Sequence, residues 1–586
     1  MEARAQAVAD RATGVSAPAP RAVAAPRWAM WAIALALTAS VLVAFRLDRP
    51  PFFDNEGRYA EVAREMVVLG DYATPHLDFA LFLNKPPLVY WLAALVFQVT
   101  GPSEWARLVS VAAAAVMLFA TCRLGALLYG ESAGLVAGLA LATSVGFVLE
   151  ARTLRPDMLL TAAVVVALWC WRRAVAADER RARWLAAMYA ALGAGVLTKG
   201  LVPLVVFGIP VTLITLRDEG WRGFGRLRPG LGVAVVALLV LPWHVLAAVR
   251  HPGFAWDYVV NQHLLFFLDR KLPRDSSGDT LGFFWAAYAG RATPWILLGP
   301  LTLAEAVRGA RARATGVPRE TALVWAWAGG LLLFFSCAPS RLEHYGMPAL
   351  PAAALLAARV WQRARTDGLG PQAWRFLVAA GVTAVVAGLG LFAGPRLLGE
   401  VYWIAEAPEL SRLMWLAAVV MIAAGTGIAL AASRRHGGAL LGVLAATGAA
   451  GAAVVVQAEV TVGPLFSWQP VAAALATTPA GTDVVFEAPE EYQIVGGLAF
   501  YTGRRVTLLE PSGFVPPTYL AGLTDEMFVS RTELGRRWDS GRPVALVSDP
   551  QRRRDDPRGL APGQFHVLAR FGDRWVVTNF PVPGAP

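Results

Sequence analysis

Charge and cysteine are both scarce in this chain. Only 16% of its 586 residues are Asp, Glu, Lys or Arg, and 56% are hydrophobic, with a mean hydropathy of +0.49. One water-soluble core cannot hide that much apolar surface, so the composition excludes an ordinary soluble protein and requires lipid as a solvent. The three cysteines, Cys122, Cys170 and Cys337, lie in or beside apolar runs without paired spacing. That excludes a disulfide framework and a cysteine-based structural zinc site. Acidic residues are outnumbered by basic ones, 42 to 53. The surplus arginines sit between apolar runs instead of forming one basic domain, so they read as topology signals and no nucleic-acid partner is expected.

Long hydrophobic runs are what the chain has in abundance. Taking stretches of roughly 17 to 25 apolar residues as spans gives about thirteen: near 28–45, 105–128, 132–150, 157–175, 184–198, 201–216, 231–249, 282–303, 321–338, 347–361, 376–394, 412–432 and 438–457. The first follows an Ala/Pro/Arg-rich tail, 1–27, and is expected to be a retained span and not a cleaved signal peptide. If the spans alternate, the basic loops "WRRAVAADERRARW", "RDEGWRGFGRLR", "VRGARARATGVPRE", "WQRARTDGLGPQAWR" and "SRRHG" share one side with that tail. The positive-inside rule makes it cytoplasmic. The loops at 46–104 and 250–281, the turn at 339–346, the acidic loop at 395–411 and everything after about 458 then fall outside, which is where chemistry is expected.

Beyond residue 458 the pattern changes. "TDVVFEAPE", "RRVTLLEP", "RPVALVSDP" and "FHVLARFGDRWVVTNF" read as short strands, with helix-compatible "QPVAAALATTP" and "RTELGRRWDSG" between them. An outer α/β domain over 458–586 is expected to follow a membrane domain over 28–457.

The stretch Asp54–Trp91 concentrates charge in a greasy chain. Tyr59, Val62, Ala63, Met66 and Val67 recur at helical spacing with Glu61, Arg64 and Glu65 facing away, the pattern of an amphipathic helix lying on the membrane surface. "KPPLVYWLAALVFQV" starts a second short helix at its double proline. Glu61, Arg64, Glu65, Asp71 and Asp78 read as interfacial anchors and caps. Asp54 and Lys85 abut Phe- and Pro-rich sequence, where an unused charge is expensive, so both are functional candidates.

These residues carry a resemblance. "FFDNEGRYAEVAREMVVLGDYATPHLDFALFLNKPPLVYWLAA" resembles the first outer loop of the GT-C membrane glycosyltransferases, in particular the aminoarabinose transferases that modify lipid A and their protein O-mannosyltransferase relatives. The likeness continues in order through "RTLRPDMLLTA", "LTKGLVP", "QHLLFFLDR", "SRLEHYGMPALPAAALL" and "GLAFYTGRR". It implies a GT-C fold and an enzyme that moves a glycosyl unit, aminoarabinose or another pentose or hexose, from a polyprenyl phosphate carrier such as undecaprenyl phosphate. The acceptor would be lipid A or another envelope lipid or glycan, at the outer face of a bacterial inner membrane. A protein acceptor is the alternative within the class, and a lipid-linked sugar flippase the alternative outside it; a transporter would place ionisable groups near the midplane.

The resemblance also assigns roles. Lys85, Arg270 and Tyr345 match positions that bind the lipid phosphate, with Arg58 and Tyr59 of the "RYAE" run beside them. Asp54 takes the place of the first-loop acidic residue and is the first choice of base for a hydroxyl acceptor. Glu56 and Asp157 are the other catalytic carboxylate candidates, although Asp157 would equally suit an ion pair with Arg155. His263 matches a family histidine that can hold a metal together with a Glu just before the lysine. Here that residue is Asn84, a poor transition-metal ligand, so a divalent metal is not required. His76, His251 and His344 read as hydrogen-bonded loop residues, and Lys199 as a snorkelling lysine at a span end.

Overall fold

In a computed structural model of the chain, residues 47–176, 180–273, 278–311, 317–397, 407–487, 492–510, 515–520, 522–523, 527–548, 561–572 and 574–582 are described. The expected first span at 28–45, the N-terminal tail and the side chain of Asp54 lie outside them.

Every other expected span is helical, though not always as one rod. Helices Glu104–Tyr129, Pro156–Ala176, Pro229–Arg250, Pro371–Leu391, Glu409–Ser433 and the one starting at Gly437 are, by length and apolarity, long enough to cross a membrane, and Glu131–Ala142 with Val145–Ala151 makes a pair bent by 65°. The expected span at 282–303 is divided into Leu281–Arg291, a 3-10 turn Trp295–Leu298 and Gly299–Arg311. Among the described residues, the fold is a helical bundle with several spans, and six or seven helices meet the length test where the sequence suggested thirteen.

Three of the five basic loops come together at one end. Arg172 lies 3.8 Å from Glu320, Arg319 Nε 2.6 Å from Asp218, and Arg217 donates to the Val317 carbonyl at 2.6 Å.

At the other end, α1 (Asp54–Leu69) is followed by a two-residue hairpin, β1 (His76–Leu77) and β2 (Ala80–Leu81), and by α2 (Leu88–Thr100), whose N-cap is Pro87. Tyr59, Ala60, Val62, Ala63 and Met66 pack on Val89, Tyr90, Ala93 and Phe97 of α2. The helix is not a surface helix, however. Glu56, Glu61, Arg64 and Glu65 are buried as well, because a second partner covers the face that the sequence pattern left to water.

That partner is α3 (Val495–Thr502) of the C-terminal α/β unit. A Cβ on Gly57 would stand 2.5 Å from the Gly497 Cα, and one on Gly496 2.7 Å from the Arg58 Cα. Only glycines let the two backbones meet this closely.

The unit itself is a six-stranded sheet. Its strands are β3 (Asp483–Glu487), β4 (Thr507–Leu509), β5 (Phe528–Val529), β6 (Val544–Val547), β7 (His566–Phe571) and β8 (Arg574–Thr578), in the order β5-β4-β3-β6-β8-β7. The first four are parallel, and β8 and β7 join antiparallel. Alternation sorts β3 between two cores: Val484 and Phe486 face α3, and Val485 faces Leu534 and Trp538 of the helix Arg531–Asp539. The first core also takes in Leu83, Trp243, Phe254 and Tyr258, so it is continuous with the loops at 46–104 and 250–281. The last helix of the bundle runs to Val462 before the unit begins.

The hairpin turn is strained and braced by acids. Asp78 and Phe79 both have positive φ, 56° and 61°, as a tight two-residue hairpin demands. Glu65 accepts the Phe79 N–H through both oxygens at 3.1 and 3.0 Å, and Asp78 Oδ1 accepts the Val506 N–H at 2.8 Å. Arg64 forks onto Glu61 at 2.6 and 2.7 Å. These are internal struts and not membrane anchors; the capping role holds for Asp71, which accepts the N–H groups of Ala73 and Thr74. Burial, reinforced by Glu61, pushes the Glu65 carboxyl up from 4.5 to about 10, and burial raises Asp78 too. The folded chain therefore keeps protons that the unfolded chain releases above the ordinary carboxylate range. Stability should fall as pH rises through that window. Glu65→Gln, isosteric and unable to ionise, should flatten the decline. In melting curves between about pH 5 and pH 9, the variant should match the parent at the acid end and melt higher at the alkaline end; a lower alkaline melting temperature would contradict the assignment.

Candidate active site

Where the loops at 46–104 and 250–281, two helix ends and the α/β unit converge, they enclose a cavity of about 250 Å³. Helix α1 supplies Asn55, Arg58 and Tyr59, the segment before α2 supplies Asn84 and Lys85, and the start of the helix Pro156–Ala176 supplies Asp157 with Arg155 just ahead of it. Lys199 comes from the end of the helix Arg181–Lys199, Gln262, His263 and Lys271 from the loop at 250–281, and Glu343, His344 and Tyr345 from the turn before Leu350. Gln493 enters from the α/β unit. Five Lys or Arg side chains thus face two carboxylates, a balance that suits an anionic ligand in a site largely shielded from water.

Local chemistry orients these groups. Arg58 Nη1 donates to Gln493 Oε1 at 3.1 Å. Lys199 Nζ sits 2.7 Å from Asp157 Oδ1 and 4.7 Å from the centre of the Tyr345 ring. It is a paired, mostly covered cation, its side chain 12% exposed, and not a snorkelling one. Asp157 is thus paired with Lys199 instead of the expected Arg155, and it also lines the cavity. Glu343 lies 3.4 Å from Arg291 and 4.0 Å from Arg155. Burial opposes its ionisation, but His344 and these guanidiniums hold its carboxyl well below the usual carboxylate range.

Of the residues singled out in the sequence, the cavity gathers Lys85, Tyr345, Arg58, Tyr59, Asp157 and His263. Asp54 opens α1, with its side chain outside the described residues. Glu56 is directed elsewhere. Its two oxygens accept from Arg107 Nε and Nη2 at 2.9 and 2.7 Å, from the Leu154 N–H at 2.7 Å and from the Phe53 N–H at 3.2 Å. A carboxylate has about four lone-pair sites, so none is left for a substrate proton and Glu56 is a strut. Arg270 is exposed and outside the cavity, while Lys271 is buried and lines it. The cause is the turn before them, where Asp269 has φ 57° and Asn261 clamps Leu272 through its N–H and C=O. Of the two neighbouring cations in that loop, the structure sets Lys271 in the cavity and Arg270 outside it. Gln493 had no chemical signal of its own, only its position four residues before "GLAFYTGRR".

The residues do not suit a metal at His263. Its Nδ1 faces the Tyr258 carbonyl at 2.6 Å and its Nε2 accepts the Leu201 N–H at 3.1 Å, so both ring nitrogens are committed. Burial holds its pKa below the ordinary value. Asn84 Oδ1 accepts the Tyr519 hydroxyl at 2.8 Å and Gln262 Nε2 at 3.5 Å. Among the described residues no group of three or more His, Cys, Asp or Glu is placed to hold a metal. Zinc or EDTA should accordingly leave the melting temperature of the purified protein unchanged, and stoichiometric zinc by elemental analysis would contradict this.

Known proteins agree with the geometry. The profile of the dolichyl-phosphate-mannose-protein mannosyltransferase family matches residues 84–245. The undecaprenyl phosphate-alpha-4-amino-4-deoxy-L-arabinose arabinosyl transferase 1 of Pseudomonas fluorescens is 31% identical over 366 residues, 58% of each chain. The chain therefore aligns with less than two thirds of that relative's length. Crystal structures of ArnT from Cupriavidus metallidurans superpose with TM-scores of 0.76, the apo form at 25% identity over 94% of this chain and 98% of that one. The form bound to undecaprenyl phosphate does so at 24% identity over 95% and 99%. Fold and site together define a multi-pass membrane protein with the GT-C architecture. Within that class the chain is similar to aminoarabinose transferases and, over residues 84–245, to the protein mannosyltransferase family.

Proposed function

We propose that the chain is a glycosyltransferase that takes its sugar from a polyprenyl phosphate and delivers it to lipid A or another envelope acceptor at the outer face of a bacterial inner membrane. The observation that carries this reading is the set of buried Lys271 and half-buried Lys85 and Tyr345 lining one cavity. As the bond from the anomeric carbon to the phosphate breaks, the carbon gains positive character and negative charge collects on the departing phosphate. Fixed cations at that oxygen stabilise the transition state more than the ground state. Attack from the far face would invert the anomeric carbon.

The clustering of three basic loops at the opposite end supports a cytoplasmic position for them and a periplasmic one for the cavity and the α/β unit. The other described helices, some continuous but less apolar, such as Arg181–Lys199 and Arg319–Ser336, and some short or broken, would then complete a bundle of about thirteen spans. The match to mannosyltransferases over residues 84–245 favours a protein acceptor as the second reading.

Purified protein incubated with a panel of polyprenyl phosphate sugars, followed by mass spectrometry of lipid, glycan and protein products, tests the reaction. Lys85→Ala and Lys271→Ala should each lower kcat/KM about 10- to 100-fold, the scale of a lost charge-assisted hydrogen bond. Arg270→Ala should stay within about threefold of the parent. A larger loss from Arg270→Ala than from Lys271→Ala would return the phosphate clamp to Arg270.

A further inference from the structure

Donor binding leaves one constellation of the cavity unused. Glu343 and His344 are consecutive in the 3-10 turn Glu343–Ala349, and both line the cavity. His344 Nδ1 lies 3.3 Å from Glu343 Oε1. Nε2 faces the other way, 3.9 Å from Asp157 Oδ2, too far for a hydrogen bond.

Glu343 is fixed from behind by Arg291 and Arg155, and Arg291 is braced in turn by Glu150 at 3.5 Å. A carboxylate so held can only accept, so the imidazole proton belongs on Nδ1 and Nε2 keeps its lone pair. Asp157 would otherwise invite a proton onto Nε2, but Lys199 already neutralises it.

The groups facing His344 come from several elements: Asp157 at the start of one helix, Asp279 from the loop before Leu281, and Glu343 and Tyr345 from its own turn, while Lys199 and Arg155 act on Asp157 beside it. An imidazole held by a carboxylate on one ring nitrogen, with the other nitrogen turned to the cavity, has the arrangement of a proton acceptor.

We propose that His344, oriented by Glu343, takes the proton of an acceptor hydroxyl, so that the group glycosylated is an alcohol of a sugar, lipid or protein and not a phosphate. The proposal rests on the reading of the chain as a polyprenyl phosphate sugar transferase. As the acceptor oxygen bonds to the anomeric carbon, its proton moves to His344 Nε2. The bond from that carbon to the carrier phosphate breaks, and its electron pair leaves on the polyprenyl phosphate. The imidazolium then returns its proton to water. A phosphate acceptor is already an anion near neutral pH and would have no use for this device.

The test uses the full-length protein in nanodiscs with a polyprenyl phosphate sugar that the parent consumes, offered hydroxyl acceptors and phosphorylated lipid A separately. His344→Gln should lower kcat about 10²- to 10⁴-fold while leaving donor KM and melting temperature near the parent values. It should also remove the acidic limb of the kcat profile, because below that limb the parent imidazole is protonated and inactive. Free imidazole should partly rescue His344→Ala, which a structural role would not allow. Glu343→Gln should show a smaller loss with the limb displaced.

The proposal is overturned if His344→Gln keeps kcat within about threefold. It is equally overturned if the acidic limb persists in that variant and vanishes in Asp54→Asn, or if mass spectrometry finds the sugar only on phosphate. A parent protein that neither binds nor consumes any polyprenyl phosphate sugar would bring down the transferase reading itself, in the donor-binding arm and before His344 is tested.

Discussion

The arrangement of the cavity depends on one buried ion pair. Arg107 forks onto Glu56 and also donates to the carbonyls of Leu47 and Pro50 at 3.0 and 2.6 Å, while Glu56 accepts the Leu154 N–H. Four separate stretches are thereby fixed at one point: the segment before α1, α1 itself, the start of the helix beginning at Leu108, and the turn that leads to Arg155 and Asp157. Both charges are almost completely removed from water. Such a pair contributes little net stability as a unit, but loss of either partner strands the other charge, at a cost of about 3–5 kcal/mol. Its effect is to set position: Asn55 and Arg58 lie within one helical turn of Glu56, and Asp157 lies three residues beyond Leu154.

The α/β unit is part of the same construction. Its glycine-lined helix meets α1 at backbone distance, Tyr501 accepts the Phe52 N–H and donates to Glu104, both at 2.6 Å, and Tyr519 reaches Asn84. Through Gln493 it also supplies one wall of the cavity and holds the Arg58 guanidinium. An appended domain would leave the loops at 46–104 and 250–281 complete without it. Here the first loop buries its charged face only because this unit covers it.

Much of this was legible in the residues. Apolar runs located the helices, the arginine-rich loops located one end, and the strand-like runs after residue 458 located the sheet. The ordered motifs pointed to the loops that make the cavity. What could not be read was the partner of a charge. Glu61, Arg64 and Glu65 look like a wetted helix face unless one knows that Gly496 and Gly497 bring another helix onto it. Lys199 looks like a snorkelling lysine until Asp157, 42 residues earlier in the chain, is seen beside it. Arg270 and Lys271 differ only in which side of a turn they fall on, and a single left-handed residue, Asp269, decides that. Helical periodicity reports which residues share a face, but contacts between distant segments decide what that face meets.

The central claim is that the cavity formed by Lys85, Lys271 and Tyr345 holds the phosphate of a lipid-linked sugar. A structure of the full chain in nanodiscs with a bound polyprenyl phosphate tests it most directly. The account predicts phosphate density within hydrogen-bonding distance of Lys85 and Lys271, on the side of the cavity where Tyr345 stands. Phosphate held instead at the exposed Arg270, or among the arginines at the opposite end of the bundle, would contradict it.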